Sequence, residues 1–246
     1  MSGWQRATVV GARAETASAR TLRLQVEGWP GHLPGQHVDV RLTAPDGYTA
    51  TRSYSIASAF DGAAGGDEIE ISVEEVADGE VSPYLVQVAA VGDAVEVRGP
   101  LGGWFVWRAA QPEPLQLIGG GSGVVPLMSM VRGHELAGAR APVRLLYSVR
   151  DPASVYYRDE LTRRAAEQPG LQVDFAYTRT APPSWDGVVG RLDGARLSRW
   201  TWPVDAEPTT YVCGPTGFVE AVADELVRAG YDPRRIRTER FGPSGS

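Results

Sequence analysis

Residues 52–55 read Arg52-Ser53-Tyr54-Ser55, an arginine, an aromatic ring and two hydroxyls within four positions. A guanidinium can pair with a pyrophosphate, and a tyrosine ring can cover a flat heterocycle. On a strand, the two-residue period puts Arg52 and Tyr54 on one face and Ser53 and Ser55 on the other. The same pattern also describes a half-buried strand with a solvated arginine. A second cluster, Gly119-Gly120-Gly121-Ser122-Gly123, follows a short apolar run and leads into Val124-Val125-Pro126. Glycines let a backbone approach a phosphate, and the first turn of a helix supplies free N–H donors. Pro126 fits that first turn, where its missing donor costs nothing. The spacing is not a full G-x-G-x-x-G, so a tight turn and a phosphate cradle both remain open. A third group, Cys213-Gly214-Pro215, holds the one cysteine. A free thiol is usually core, but this one closes an apolar run, at the edge where open α/β sheets bind ligands.

Composition removes several chemistries. The 246 residues carry 24 basic side chains, all arginine, and there is neither lysine nor asparagine. That excludes a lysine Schiff base, a Walker-A loop, an N-glycosylation sequon and an asparagine-dependent triad. One cysteine cannot make an internal disulfide, a zinc site or a cysteine-ligated iron–sulfur cluster. His32, His37 and His134 lack metal spacing, so no metal site is expected, and Ser122 is not in a G-x-S-x-G elbow. A net charge of −6 argues against a nucleic-acid or anionic-membrane binder. No apolar signal core opens the chain and no run reaches the length of a membrane span, so the expected address is the cytoplasm.

The elements that must position these residues change character along the chain. Alternating apolar residues predict strands over 21–26, 37–42, 68–73 and 94–98, with the 52–55 segment on another. Turn signals at Pro34-Gly35, Pro45-Asp46-Gly47, Gly65-Gly66-Asp67, Asp78-Gly79 and Gly99-Pro100 separate them. A helical turn is expected over 82–88, where Ser82 could serve as its cap. Strands over 115–118, 143–147, 172–177 and 209–213 then alternate with helices over 124–134, 157–167 and 218–229, and residues 236–241 close the pattern. The prediction is a two-domain β + α/β chain. It has an antiparallel β-barrel over 1–110, a proline-containing linker over 111–114 and a parallel-sheet Rossmann-like domain over 115–246.

Five segments in this order carry a resemblance. Arg52-Ser53-Tyr54-Ser55, Gly79-Glu80-Val81-Ser82, Gly99-Pro100-Leu101-Gly102, the run from Gly119 to Pro126 and Cys213-Gly214-Pro215 resemble the motifs of the ferredoxin–NADP reductase superfamily. The likeness covers nearly the whole chain. It implies an NADPH-dependent flavoprotein reductase with FAD in the barrel and NADP on the α/β domain. Arg52 would bind the flavin pyrophosphate, Ser53 would line the same site, Tyr54 would stack on the isoalloxazine, and Ser55 would reach flavin N5. Gly79, Val81 and Ser82 would form a second flavin clamp. Glu74-Glu75 stand near where many relatives carry a basic residue. Gly121, Ser122 and Gly123 would cradle the NADP diphosphate, with Cys213, Gly214 and Pro215 at the nicotinamide. Ser148, Arg150, Arg179 and Arg191 would favour a 2′-phosphate. Phe241 would cover the flavin face, with Glu239 as a charged neighbour of N5.

The resemblance further implies electron transfer to a separate acceptor protein, such as ferredoxin, flavodoxin or another redox metalloprotein, from a monomer. Two other readings stay open at this point. One is a free flavin or quinone reductase without a protein partner, and the other is a non-catalytic flavin- or nucleotide-binding subunit.

Overall fold

The computed structural model describes residues 3–62 and 66–242, so Gly65 of one predicted turn lies outside the described residues. Two compact units divide the chain. The first is Met1–Arg108 with Met128–Ala137, and the second is Ala109–Leu127 with Gly138–Ser246.

The first unit is a six-stranded antiparallel sheet. In chain order its strands are β1 (Gln5–Thr16), β2 (Ala19–Val26), β3 (His37–Thr43), β4 (Thr49–Ser55), β5 (Glu68–Glu74) and β6 (Ala94–Leu101), arranged β4-β3-β6-β1-β2-β5. Alternation places Leu22, Leu24 and Val26 of β2, Val38 and Val40 of β3, and Ile69, Ile71 and Val73 of β5 in one core. The two edge strands meet through one bridge between Ile56 and Ile71, which curls the sheet into a barrel.

Three features depart from the sequence expectation. β1 is the longest strand, yet its register shifts at Val9/Gly11 and Ala14/Thr16 break the apolar alternation that would have announced it. Gly99-Pro100 is not a turn but lies inside β6. There the pairing runs from His37–Leu101 to Asp39–Arg98, so two residues of β6 face one of β3. A bulge of this kind is one of the few places a sheet accepts proline. A Cβ on Gly99 would lie 2.8 Å from Val38 Cγ1, which keeps that position small. The turn expected over 82–88 is a π-helical turn, Tyr84–Val88, without a side-chain cap. Ser82 Oγ instead accepts from the Val76 N–H at 3.1 Å and ties the preceding loop shut.

Residues 128–137 join this first unit through specific polar contacts. Ser129 Oγ donates to the Ser58 carbonyl at 2.7 Å. Arg132 donates to the Ala57 carbonyl at 3.0 Å and pairs with Glu70 at 2.7 Å.

The second unit is a five-stranded parallel sheet of β7 (Leu115–Gly120), β8 (Val143–Val149), β9 (Leu171–Tyr177), β10 (Thr209–Pro215) and β11 (Ile236–Phe241), in the order β11-β10-β7-β8-β9. The helices of the chain are α1 (Val124–Leu136), whose residues from Met128 onward belong to the first unit, α2 (Arg158–Glu167), α3 (Gly194–Trp200) and α4 (Thr216–Arg228). The short α3 escapes sequence reading because one buried residue, Leu197, is too few to set a helical period; Asp193 caps it by accepting from the Arg196 N–H. α4 is legible because Val219, Val222 and Leu226 recur at helical spacing and are buried. The chain leaves β7 toward β8 and returns later to β10 on the other side. The carboxyl ends of β7 and β10 therefore form the switch point at which open α/β sheets bind ligands.

Candidate functional site

In the first unit the candidate residues sit on the edge strand β4 and the loop that ends at Ser82. Arg52 is exposed. Tyr54, on the same face, is half-buried against the barrel core, and burial pushes its phenol pKa well above the ordinary value. On the other face Ser53 Oγ donates to Asp39 at 2.6 Å, and the second oxygen of Asp39 takes Arg98 at 2.5 Å. The Asp39 carboxyl is held below its usual range, because these hydrogen bonds outweigh its own desolvation. Ser55 is buried, and its hydroxyl has no hydrogen-bond partner among the described residues. A buried polar atom without a partner needs an explanation, and a ligand heteroatom supplies one. The resemblance puts flavin N5 at this residue, so the orphaned hydroxyl fits that cofactor.

Val81 is fully buried and Gly79 donates to the Val76 carbonyl at 2.8 Å, so the clamp segment is a closed loop. Sequence reasoning missed the residue between them. Glu80 binds Arg52 Nη2 at 2.8 Å with one carboxylate oxygen, and its other oxygen accepts from the Tyr48 hydroxyl. Both contacts lower the Glu80 pKa, the tyrosine most. A cavity of about 670 Å³ adjoins the pair, lined among others by Tyr48, Glu80, Tyr84, Arg6 and Arg41. Nothing in the sequence alone marks Glu80, because its partners lie 28 and 32 residues away.

In the second unit the glycine cluster and the Cys213 turn meet at the switch point. Gly119 and Gly120 end β7, Gly121–Gly123 form a 3-10 turn, and α1 follows at once. A Cβ on Gly123 would stand 2.2 Å from the Cys213 carbonyl oxygen, and one on Gly214 2.9 Å from the Gly120 carbonyl oxygen. The two turns therefore pack backbone against backbone, and Gly214 adopts a φ of 154°. Ser122 lies between the two glycines of the turn, and Pro215 ends β10.

Cys213 is fully buried. Burial first, and then the charge of Glu239, push its thiol well above the ordinary value, against a hydrogen bond from Gly214. It stays protonated near neutral pH and is unsuited to nucleophilic chemistry. Glu239 is its register partner on β11, and the half-buried Phe241 pairs with Pro215. Ser148, buried, pairs with Gly120 at the end of β8.

Arg150, Arg179 and Arg191 are all exposed, and none of their side chains has a hydrogen-bond or ion-pair partner among the described residues. Their segments are stitched together by backbone. Arg179 and Thr180 N–H groups donate to the Arg150 carbonyl at 2.9 and 3.1 Å, and Gly190 donates to the Tyr177 carbonyl at 2.9 Å. The structure thus gathers Arg150, Arg179 and the Arg191 segment beyond the ends of β8 and β9. Among the described residues no helix is long and apolar enough to cross a membrane.

Known proteins match this arrangement. An oxidoreductase FAD-binding domain family matches residues 7–106, and an oxidoreductase NAD-binding domain family matches residues 117–224. The ferredoxin–NAD(P)+ reductase component of naphthalene 1,2-dioxygenase/salicylate 5-hydroxylase systems from Ralstonia sp. is 32% identical over 240 residues, 97% of this chain and 69% of that one. A flavohemoprotein of Pseudomonas putida is 32% identical over 213 residues, and there the match spans 52% of the relative's length. The FAD/NAD-binding domain of a nitric oxide dioxygenase from Vibrio cholerae superposes with a TM-score of 0.84 at 27% identity, covering 99% of this chain and 100% of that one.

An antiparallel barrel that binds flavin, followed by a parallel sheet with a glycine turn at its switch point, defines a nicotinamide-dependent flavin reductase. The chain belongs to the ferredoxin–NADP reductase superfamily and is an NAD(P)H-dependent flavoprotein oxidoreductase that binds FAD.

Proposed function

We propose that the chain takes reducing equivalents from NADPH in preference to NADH and delivers them to a separate redox protein such as a ferredoxin. The observation that carries the nucleotide choice is the group of Arg150, Arg179 and Arg191, exposed and without acid partners. A dianionic 2′-phosphate gains most from guanidinium pairing, and cations not engaged elsewhere lose nothing by turning to it. Bound flavin supplies the redox chemistry, accepting hydride from the nicotinamide and releasing electrons onward.

The chain's own residues bind and orient. Arg52 holds the flavin diphosphate, Tyr54 lies against the ring system, and the Ser55 hydroxyl hydrogen-bonds near N5. Ser53 lines the same edge strand, while the loop through Gly79, Val81 and Ser82 backs the phosphates. Gly121, Ser122 and Gly123 offer backbone to the NADP diphosphate. Protonated Cys213, with Gly214, Pro215 and Ser148 beside it, sets the nicotinamide's position. Glu239 and Phe241, on the neighbouring strand, shape that end of the sheet. With one cysteine these residues ligate no iron–sulfur cluster, so such a centre would belong to the acceptor. The ferredoxin reductase component among the relatives supports a ferredoxin-type acceptor.

Steady-state kinetics with both nucleotides test the choice. The ratio kcat/KM should favour NADPH. Arg150→Ala, Arg179→Ala or Arg191→Ala should raise the NADPH KM roughly 10- to 150-fold, the range of one lost charge-assisted hydrogen bond, and leave NADH nearly unchanged. Equal efficiency with both nucleotides in the wild type refutes the NADPH assignment.

A further inference from the structure

We propose that Glu80 is a built-in competitor for the flavin diphosphate, an anion of the chain's own that occupies Arg52 and so makes FAD a weakly held, exchangeable cofactor. The inference rests on the reading that Arg52 grips that diphosphate.

Both terminal nitrogens of Arg52 are engaged in the structure. One terminal nitrogen donates to its neighbour's carbonyl, Thr51, at 2.7 Å, and the other donates to Glu80 at 2.8 Å. Carboxylate and phosphate oxygens compete for the same guanidinium donors, and Glu80 holds one of them through a single oxygen. A diphosphate reaching Arg52 must therefore displace Glu80 or sit beside it as a like charge. Displacement has a second cost, since the other Glu80 oxygen is held by the Tyr48 hydroxyl. Each Glu80 oxygen therefore has a partner that an incoming phosphate would have to replace or face.

Its position sharpens the conflict. It lies one residue after Gly79 and two before Ser82, inside the loop that would back the phosphates. Its carboxyl is held below the usual carboxylate range, so the competition persists through neutral pH. The pair adds little to folding, since it is an exposed ion pair with both side chains about half accessible. Its main consequence falls on whatever anion Arg52 would otherwise bind.

Flavin titration of the full-length chain, with flavin fluorescence or calorimetry as the readout, tests this. Riboflavin, which lacks a phosphate, serves as the internal control beside FAD. Glu80→Gln should bind FAD about ten-fold more tightly and riboflavin with unchanged affinity. Tyr48→Phe, which frees one carboxylate oxygen, should give a smaller gain in the same direction. Arg52→Ala should weaken FAD binding, and most of the Glu80→Gln gain should vanish in that background. Melting temperatures of the variants check that each is folded. Unchanged or weaker FAD binding by Glu80→Gln, with Arg52→Ala still impaired, overturns the competitor role and leaves the flavin site standing. An equal gain for riboflavin overturns it too, because the effect would not lie at the phosphates. Normal FAD binding by Arg52→Ala removes the ground for both readings.

Discussion

The barrel and the parallel-sheet unit treat their candidate anion-binding arginines in opposite ways. On the barrel, Arg52 is engaged by Glu80, and the acid is itself tied to Tyr48. On the parallel unit, Arg150, Arg179 and Arg191 stand exposed without an acid partner among the described residues, while the backbone beneath them is tightly stitched. Exposed ion pairs contribute little to stability, so the difference is best understood through ligands rather than folding. A site whose cations are already gathered and unpaired is prepared for its anion, whereas a site whose cation is engaged must first exchange one anion for another. Close backbone approach, by contrast, occurs in both units: a Cβ on Gly123 would stand 2.2 Å from the Cys213 carbonyl oxygen and one on Gly35 of the barrel 1.9 Å from the Phe105 carbonyl oxygen, whereas Gly103 meets nothing within 4 Å.

The largest expected effect tests the backbone contact of the parallel unit. Gly123→Ala would place a methyl 2.2 Å from a carbonyl oxygen, and no flexible side chain is there to yield. The turn must shift, so the NADPH KM should rise by about a hundred-fold or more and the melting temperature should fall, as expected of overpacking. FAD affinity should hold. Gly103→Ala in the barrel should be silent by all three measures. A Gly123→Ala enzyme with normal nucleotide kinetics would mean that this backbone contact does not shape the nucleotide site.

A smaller effect is expected at Cys213. If the thiol positions the nicotinamide, Cys213→Ala should lower the rate of NADPH-driven flavin reduction about ten-fold with little change in melting, and Cys213→Ser should be milder. If the buried thiol only fills the core, stability should drop by about 1 kcal/mol and the rate per folded molecule should not change. Stopped-flow reduction alongside thermal melts separates the two.

The smallest effect concerns pH and falls on the barrel unit, which holds all three histidines. Trp29 Nε1 donates to His32 Nδ1 at 3.1 Å, so His32 Nε2 carries the proton and donates to the Ser58 carbonyl at 3.0 Å. Burial lowers the His32 pKa below its ordinary 6.5, despite that carbonyl. The folded state therefore resists a proton that the unfolded chain accepts. The contribution to stability is complete above pH 6.5 and declines as pH falls toward the folded pKa. The wild type should melt at a lower temperature at pH 5.5 than at 7.5, and His32→Gln should narrow that gap. An unchanged gap would mean that the acid sensitivity lies elsewhere.

Much of the architecture was readable before any coordinates. Strand alternation over 21–26 and 68–73, helical spacing in 218–229 and glycines after an apolar run are local properties, set by side-chain direction in the neighbouring turn or pleat. The resemblance to the family's motifs added expected roles for Arg52, Tyr54, Ser55 and Cys213. Where the local signal was weak, reading failed. Bulges hid β1, the short α3 had too few turns, and Gly99-Pro100 looked like a turn because the pairing that makes it a bulge lies on β3.

What the sequence determined by itself was the two-part architecture, strands first and then strands alternating with helices, and a set of candidate residues for an anion or a flat ring. What only the tertiary structure decided was which of them are engaged. The Gly123 approach to Cys213, the Arg52 pair with Glu80 and the orphaned hydroxyl of Ser55 all depend on segments far apart in the chain. Spacing along a sequence carries the period of one element, but contact between elements is set by strand order and loop closure, which no local period encodes.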